Sequence, residues 1–237
     1  MKDISPCATC PKSGTSGFCA AIFESTVPAE STGKSDWQHH LVVPAGRQLL
    51  TANQTSPDIY VFCAGWGFRF LQMPNGRRQI LGFLLPGDVL VGSLLHERLH
   101  FSVKALTAIQ VSTMKRTEVQ ARIAMNVHIL WAAAECCANE VRTADETIAA
   151  LGQFSAEERI AHLFLQLMKR IASRNVIRDE RYRVPLRQQH IADAVGLTPV
   201  HVSRVLSTFR ERRLADLSNG VLEVFDLREL QRLGALS

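Results

Sequence analysis

The sequence predicts an α+β protein in which a β-roll is followed by a long coiled-coil helix and a winged helix-turn-helix. Three observations lead to this fold class. Short apolar runs separated by turn residues occupy residues 37–115, an apolar heptad pattern continues as far as Leu151, and two short amphipathic segments joined by a glycine begin at Gln188. The 237 residues are enough for one large domain or two modest ones.

Composition excludes several classes of protein. The chain is 46% apolar and 21% charged, which is typical of a folded protein and not of a disordered one. It contains no run of 18 apolar residues that would suggest a membrane-spanning helix. Its first residues lack the apolar core of a signal peptide, so we expect a cytoplasmic protein whose six cysteines are thiols or metal ligands.

Basic charge is concentrated near the C-terminal end. Residues 168–213 hold 11 basic and 4 acidic residues, a net of +7, whereas the whole chain has a net charge of +5. Such a block is typical of a nucleic-acid-binding surface, although a solvated basic face would look the same.

The N-terminal half divides into a tail and a β-rich segment. Residues 1–36 are rich in small and polar residues and in cysteine, which predicts a loop-like tail. Residues 37–116 contain the hairpin signal Pro74-Asn75-Gly76 and a second turn at Pro86-Gly87-Asp88. Several short strands with such turns predict a roll or barrel that could form a sensor domain.

A dimerisation helix is predicted for residues 117–152. Its apolar residues are spaced alternately by three and four, which is the pattern of a coiled-coil seam. Such a helix is too long for a small domain to cover, so we expect a parallel homodimer. The predicted seam consists of Ile123, Val127, Leu130, Ala134, Cys137, Val141, Ala144, Ile148 and Leu151.

The C-terminal segment, 155–229, predicts a winged helix-turn-helix, followed by a tail over 230–237. Ser155 and Glu158 form a capping-box pattern that starts a new helix. The helix-turn-helix, 188–207, has Gly196 in its turn, with Thr198 as N-cap and Pro199 in the first helical position. The strands of the wing are predicted at 214–217 and 221–224.

Several motifs in this order resemble the Crp/Fnr family of bacterial transcription regulators over almost the whole chain. The motifs are Gly76–Phe83, Leu85–Asp88, Ser155–Arg159, Ile191–Asp193, Gly196–Thr198 and Val202–Arg204. The first of them is most similar to the Fnr and FixK branches, which control anaerobic, microaerobic and nitrogen-related genes. The resemblance implies a cyclic-nucleotide-binding-like roll and a homodimer that binds a palindromic double-stranded DNA site and acts with RNA polymerase.

The resemblance also bears on the ligand of the roll. Members that bind cyclic AMP have a Glu soon after the Gly-Asp turn and an Arg-Ser pair further on. This chain has Ser93 in place of the Glu, and no arginine lies directly beside Ser102 in His100-Phe101-Ser102. Because a buried phosphate needs a paired cation, we expect no cyclic nucleotide.

The Fnr branch instead implies an iron–sulfur cluster, of the [4Fe-4S] type, on N-terminal cysteines. Cys7, Cys10 and Cys19 have the appropriate positions, but Val111 occupies the place of the fourth ligand. Cys63 is our first choice for that ligand, and Cys136, a carboxylate or a histidine are alternatives. A zinc site or a tail of free thiols remains open, as does a FixK-like regulator without a cofactor.

The family pattern also implies the residues that contact DNA. Arg204 aligns with the arginine that reads guanine, because a guanidinium matches its O6 and N7 acceptors. Val200 replaces the usual glutamate, and this changes the expected half-site. The predicted contact residues are Gln188, Gln189, Thr198, Val200, His201, Ser203 and Arg204.

Two other classes of function remain as alternatives. One is an interaction module that senses a ligand but does not bind DNA. The other is an enzyme that uses Cys63 or the His39-His40 pair, but no nucleophile motif or phosphate-binding loop accompanies them. We therefore expect no enzymatic activity.

Overall fold

The computed structural model describes residues 17–24, 38–173 and 181–236. They form two compact units. The first lies within Met1–Gln72 and Gly82–Arg142, and the second within Met73–Leu81 and Thr143–Ser237. None of the described helices is both long enough and apolar enough to span a membrane.

The first unit is built mainly from two antiparallel sheets. One has the order β1-β7-β3, and the other has the order β2-β6-β4-β5. Their strands are β1 Gln38–Val43, β2 Gln48–Leu50, β3 Asp58–Ala64, β4 Gly67–Gln72, β5 Arg78–Leu84, β6 Ser102–Ala105 and β7 Ile109–Lys115. The first four residues of β5, up to Leu81, belong to the second unit. Both predicted turns are present, with positive φ at Gly76 and Gly87, so the β-rich segment agrees with the sequence prediction.

Four helices accompany these sheets: α1 Phe18–Glu24, α2 Gly92–Leu95, α3 Arg116–Met125 and α4 Val127–Gln153. The apolar core between the helices and the sheet of β3 and β7 includes Phe18, Ile22, Val61, Ile129 and Ala133. The prediction of a loop-like tail over residues 1–36 is therefore wrong for α1. Phe18 and Ile22 lie one helical turn apart and both are buried, which gives this short helix an apolar face.

The long helix predicted for residues 117–152 is two helices. Asn126 separates them and has an extended backbone, with φ −139° and ψ 105°. Its side-chain Oδ1 accepts a hydrogen bond of 2.9 Å from the backbone N–H of His128, so it caps the start of α4. Ile123 consequently lies on α3 and packs against the apolar core instead of beginning a continuous seam.

The second unit contains the C-terminal part of α4 and the remaining elements. These are α5 Ala156–Ala172, β8 Arg181–Arg183, α6 Gln188–Val195, α7 Pro199–Glu211, β9 Ala215–Ser218, β10 Val221–Val224 and α8 Leu227–Gly234. Ser155 caps α5 in the predicted capping box with Glu158. The turn between β9 and β10 has positive φ at Asn219 and Gly220, as an Asn-Gly hairpin requires.

Two elements of this unit differ from the sequence prediction. The wing has three strands in the order β8-β10-β9, whereas only β9 and β10 were predicted. The predicted C-terminal tail, 230–237, is helical as far as Gly234, and Leu230 of that helix is fully buried. Asp226 caps α8 by accepting a hydrogen bond from the backbone N–H of Glu229.

Candidate DNA-binding interface

A tight turn holds α6 and α7 in the helix-turn-helix arrangement. Gly196 ends α6 in the left-handed conformation, with φ 68°, which glycine adopts more readily than a residue with a side chain. Leu197 follows, and its backbone N–H bonds to the carbonyl of Ala192 at 3.1 Å. Thr198 then caps α7 by accepting a hydrogen bond of 3.2 Å from the backbone N–H of His201. Local sequence thus determines where both helices end and begin.

Helix α7 has one buried face and one open face. Its buried face packs into the unit with Val202, Val205, Leu206 and Phe209, each less than a tenth exposed. The opposite face, here called the reading face, consists of Val200, Ser203, Arg204 and Ser207. Val200 is 62% exposed, although it is a large apolar residue.

The structure brings most of the predicted contact residues together at one shallow open groove. Gln188 from α6 lines it with Val200, Ser203 and Arg204 of the reading face. Thr198 and His201 are exposed at the start of α7. Gln189 is also exposed, but its side-chain amide donates a hydrogen bond of 2.6 Å to Asp193.

Several arginines of this unit are held by acidic side chains. Arg181 pairs with Glu223, Arg210 pairs with Asp216, and Arg212 pairs with both Glu157 and Glu229. Arg204 is exposed and forms no ion pair within the ranges that the structure describes. Its guanidinium is therefore available to an anionic or hydrogen-bonding partner outside the chain.

The first unit contains a partly buried ion pair that the sequence did not predict. Arg69 of β4 forms an ion pair with Glu140 of α4, and its guanidinium lies 5.5 Å from the ring centre of Phe101. The Arg69 side chain is 16% exposed. Because the two partners of the ion pair are 71 positions apart in the chain, no local pattern could have predicted the contact.

The serines at the positions that differ from the cyclic-AMP-binding pattern are buried and bond to backbone groups of the chain. Ser93 is buried, and its hydroxyl donates a hydrogen bond of 2.6 Å to the carbonyl of Leu90. Ser102 is also buried and accepts a hydrogen bond from the backbone N–H of Ala52. Both hydroxyls therefore already have partners within the chain.

Of the predicted cluster ligands, Cys7 and Cys10 lie outside the described residues. Cys19 lies on α1 and packs against the apolar core of the first unit. Cys63 lies on β3, where its thiol donates a hydrogen bond of 3.7 Å to the carbonyl of Val61. Val111 of β7 is completely buried. Within the described parts, no group of three or more His, Cys, Asp or Glu side chains is arranged to hold a metal ion.

Cys136 of α4 lies beside the apolar core to which the N-terminal helix α1 contributes. Like Cys19, it packs against the apolar core of the first unit. Burial raises the pKa of its thiol, the nearby Cys137, Glu135 and Asp88 add to that rise, and a hydrogen bond from the backbone of Phe18 opposes it. From the sequence alone, Cys136 is only an alternative to Cys63 as the fourth ligand.

One side of α4 is apolar and exposed. Ile129, Ala133 and Ala150 face inward and are buried. Most residues of the predicted seam are instead open to solvent, and four of them are at least half exposed: Val127, Leu130, Val141 and Ile148. We call these four residues the outer stripe. Cys137 is an exception among the seam residues, because it is partly buried against the core.

Comparisons with known proteins cover both units. A Crp-like helix-turn-helix domain matches residues 158–233, and a cyclic nucleotide-binding domain matches residues 40–126. The structure is similar to that of FixK2 from Bradyrhizobium japonicum, with a TM-score of 0.77 and 23% identity, covering 84% of this chain and 98% of that one. A CRP-family regulator from Thermus thermophilus matches with a TM-score of 0.68 and 21% identity, covering 83% and 97% of the two chains.

Curated relatives agree with the domain matches. The nitrogen fixation regulation protein FixK of Azorhizobium caulinodans is 31% identical over 165 residues, which are 70% of this chain and 66% of that protein. The transcriptional activatory protein AadR of Rhodopseudomonas palustris is 26% identical over 234 residues, which are 97% of each chain. The predicted α+β fold is confirmed, and the chain belongs to the Crp/Fnr family of transcription regulators, whose DNA-binding helix-turn-helix it carries at residues 188–211.

Proposed function

We propose that this protein is a homodimer that recognises a two-fold symmetric DNA sequence by inserting α7 of each subunit into the major groove. The observation that carries the proposal is the open reading face of α7, which is supported from behind by four buried apolar residues. An α-helix fits the major groove, where each base pair presents a distinct set of donors and acceptors. Two such helices related by two-fold symmetry would read half-sites about 10 base pairs apart.

Each residue of the interface has a chemical role in this proposal. Arg204 donates two parallel hydrogen bonds to the O6 and N7 atoms of a guanine. Val200 contacts the methyl group of a thymine, since it has no acceptor for the amino group of cytosine. Ser203, His201 and Gln188 bond base edges or phosphates, and Gln189 and Thr198 lie beside the DNA backbone at the ends of the two helices.

The second subunit would cover the outer stripe of α4. Its four residues recur along one side of the helix in the heptad spacing of a coiled coil, and a large exposed apolar stripe is unfavourable in water. A second copy of the chain offers the same stripe, so two parallel helices can bury it against each other. We take the protein to act in the cytoplasm with RNA polymerase as a further partner.

The signal is proposed to be oxygen or the redox state of the cell. Similar proteins include nitrogen fixation regulators, an electron transport regulator of Shewanella oneidensis and the activator FnrL of Cereibacter sphaeroides. Two forms of this proposal differ in the cofactor. In one, the N-terminal cysteines hold a [4Fe-4S] cluster, and in the other, the protein is a FixK-like regulator without a cofactor.

The described contacts favour a different fourth ligand from the one expected. Cys136 packs against the same apolar core as Cys19 of α1, whereas Cys63 bonds to a carbonyl of its own strand. Cys7, Cys10, Cys19 and Cys136 would therefore hold the cluster, which supplies an oxygen-sensitive group when bound. Helix α1 would carry one ligand and α4 another, so loss of the group would change how these two helices are joined.

DNA recognition is tested by selecting duplexes from a random library with the purified protein and then measuring their affinity. We expect an inverted repeat and an affinity that falls steeply with salt, because bound phosphates release counterions. Arg204→Ala should weaken binding by about 1–3 kcal/mol and relax the preference at one guanine in each half-site. Arg210→Ala removes a charge from the same helix and should retain the sequence preference. Unchanged selectivity in Arg204→Ala would assign the reading to another residue.

The cofactor is tested by anaerobic purification followed by iron, sulfide and zinc assays and a visible spectrum. If the cluster is present, Cys136→Ser should lose iron and Cys63→Ser should keep it. Exposure to air should then remove the cluster and change the affinity for the selected DNA. If the protein is colourless and iron-free and has the same DNA affinity under anaerobic conditions and in air, only the FixK-like form of the proposal remains.

A further inference from the structure

The motif Gly76-Arg77-Arg78-Gln79-Ile80 is not used by the function proposed above. It belongs to the second compact unit, which comprises Met73–Leu81 together with Thr143–Ser237. The turn before Arg78 is fixed by two backbone hydrogen bonds, from Met73 to the carbonyl of Arg77 at 2.8 Å and from Gly76 to the carbonyl of Met73 at 3.0 Å. The side chains that follow the turn are thus held by an ordered backbone.

Arg78 is bound to the first helix of the helix-turn-helix. Its Nε donates a hydrogen bond of 2.9 Å to Oδ2 of Asp193, and its Nη2 forms an ion pair with the same oxygen. The other carboxylate oxygen, Oδ1, accepts a hydrogen bond of 2.6 Å from Gln189. The side chains of Arg78 and Asp193 are only 21% and 11% exposed, so water screens this ion pair less than it screens a surface pair.

Gln79 adds a second connection to the same helix. Its side-chain amide donates a hydrogen bond of 3.0 Å to the backbone carbonyl of Ala194, directly before the end of α6. Backbone carbonyls in the last turn of a helix have no partner within the helix, so this bond satisfies one of them. Arg78 and Gln79 therefore both bind the C-terminal half of α6, Arg78 at the Asp193 side chain and Gln79 at the Ala194 carbonyl.

Asp193 stands at an unfavourable place for an isolated helix. A carboxylate near the C-terminus of a helix faces the negative end of the helix dipole, and α6 ends two residues later at Val195. Asp193 also lies one turn from Gln189, on a helix that the proposed function places against DNA phosphates. The Arg78 guanidinium neutralises this carboxylate and so offsets both repulsions.

We propose that Arg78 and Gln79 are positioning residues that clamp α6 and thereby present α7 to DNA. The inference rests on the proposed DNA-binding function. The reading face of α7 is exposed in the structure in which Arg78 and Gln79 contact α6, and Val200 on that face is 62% exposed. These contacts are therefore compatible with access to DNA. A helix that is held in place before binding loses less conformational entropy when it docks, which increases affinity.

A double-mutant cycle on Arg78 and Asp193 tests this clamp. Arg78→Gln leaves the carboxylate without its cation, and Asp193→Asn removes the carboxylate that holds the arginine. We expect Arg78→Gln to weaken binding to the selected duplex by about tenfold, and the double variant to be no weaker than Arg78→Gln alone. Arg77→Gln is the matched control, since it removes the neighbouring exposed charge and should change affinity by less than about threefold.

Two further measurements separate a clamp from other roles. If Arg78 instead bound a phosphate, Arg78→Gln would weaken binding equally in the Asp193→Asn background and reduce the salt dependence by about one phosphate contact, which would overturn the clamp. Hydrogen exchange without DNA should become faster in residues 188–195 of Arg78→Gln while the melting temperature stays close to that of the wild type. Unchanged exchange there would also overturn it.

Gln79→Ala provides a second variant of the clamp. It removes the hydrogen bond to Ala194 without changing the charge, so hydrogen exchange in residues 188–195 should again become faster. This variant provides the test if Arg78→Gln does not fold. Wild-type protein that binds no DNA sequence selectively would refute the proposed function and the clamp with it. Selective wild-type binding with a fully additive cycle would refute the clamp alone.

Discussion

Helices α5 and α8 approach each other closely at Gly234. A β-carbon built at this residue would lie 2.4 Å from the backbone nitrogen of His162 and 2.6 Å from the carbonyl carbon of Ala161. The contact is reinforced by His162, whose Nδ1 bonds to the carbonyl of Gly234 at 2.8 Å. Glycine is needed here because backbone atoms, which cannot rotate away, occupy the space.

Gly234→Ala should therefore destabilise the protein by about 1–3 kcal/mol through overpacking. Gly152→Ala is a suitable comparison, because a β-carbon at Gly152 in α4 would meet no atom within 4 Å apart from the adjoining backbone of its own helix. This second change should stabilise the helix by about 0.5–1 kcal/mol, since alanine has the higher helix propensity. Urea unfolding of both variants measures the difference. Equal stabilities would contradict the close approach.

Arg116 shows how one buried cation can hold several loops. Its guanidinium donates hydrogen bonds to the backbone carbonyls of Ser93, Ser56 and His96, at distances of 2.6–3.0 Å. The residue is only 8% exposed. These carbonyls have no equivalent partner if the guanidinium is removed, and an unsatisfied buried carbonyl is costly.

Arg116→Met should destabilise the folded state by about 3 kcal/mol or more, because methionine fills part of the volume and donates nothing. Arg98→Met changes an exposed arginine whose Nε bonds to Thr55 at 3.1 Å, and it should change the stability by less than about 0.5 kcal/mol. Chemical unfolding followed by circular dichroism makes the comparison. A small effect at Arg116 would show that water can replace its hydrogen bonds.

At the scale of elements, the junction at Asn126 determines where the dimerisation helix begins. The Asn126 carbonyl bonds to the backbone N–H of Ile129 at 3.1 Å, and its side chain bonds to the N–H of His128. Helix α4 therefore starts at Val127, the first residue of the outer stripe. The break lets Ile123 pack into the core while the residues after it face outward.

Asn126→Ala should lower the stability by about 0.5–2 kcal/mol, which is the usual contribution of an N-cap side chain. Asn126→Asp retains an acceptor and places a negative charge at the positive end of α4, so it should remain close to the wild type. Thermal unfolding of the two variants distinguishes them. If alanine were tolerated as well as aspartate, the hydrogen bond to His128 would not be what stabilises this helix start.

At the scale of the whole molecule, local features were predictable from the sequence. The caps at Ser155 and Thr198 and the turns at Gly196 and Asn219-Gly220 each depend on residues within a few positions of one another. The alternation of short strands with turns predicted the β-rich half for the same reason. The helix-turn-helix and its reading face followed, since helical spacing fixes which residues share a face.

Features that depend on distant partners were missed or misplaced. Strand β8 is three residues long and forms only because β10 pairs with it. Helix α1 acquires its core from residues more than 30 positions away, such as Val61 and Ile129. The break at Asn126 could not be predicted, because Ile123 fits the heptad spacing. In the structure its side chain packs against the apolar core of the first unit.

The outer stripe of α4 makes a final prediction about assembly. Leu130 is half exposed in the single chain, and in a parallel dimer it would lie against its own counterpart. Leu130→Lys should place two like charges together on the seam, so sedimentation velocity should show monomers at concentrations where the wild type is dimeric. Asn139→Lys introduces the same charge at an exposed position off the stripe and should leave the dimer intact. The monomeric variant should also lose affinity for the inverted repeat, because each half-site would be bound independently. A Leu130→Lys protein that remained a dimer would place the subunit interface on another surface.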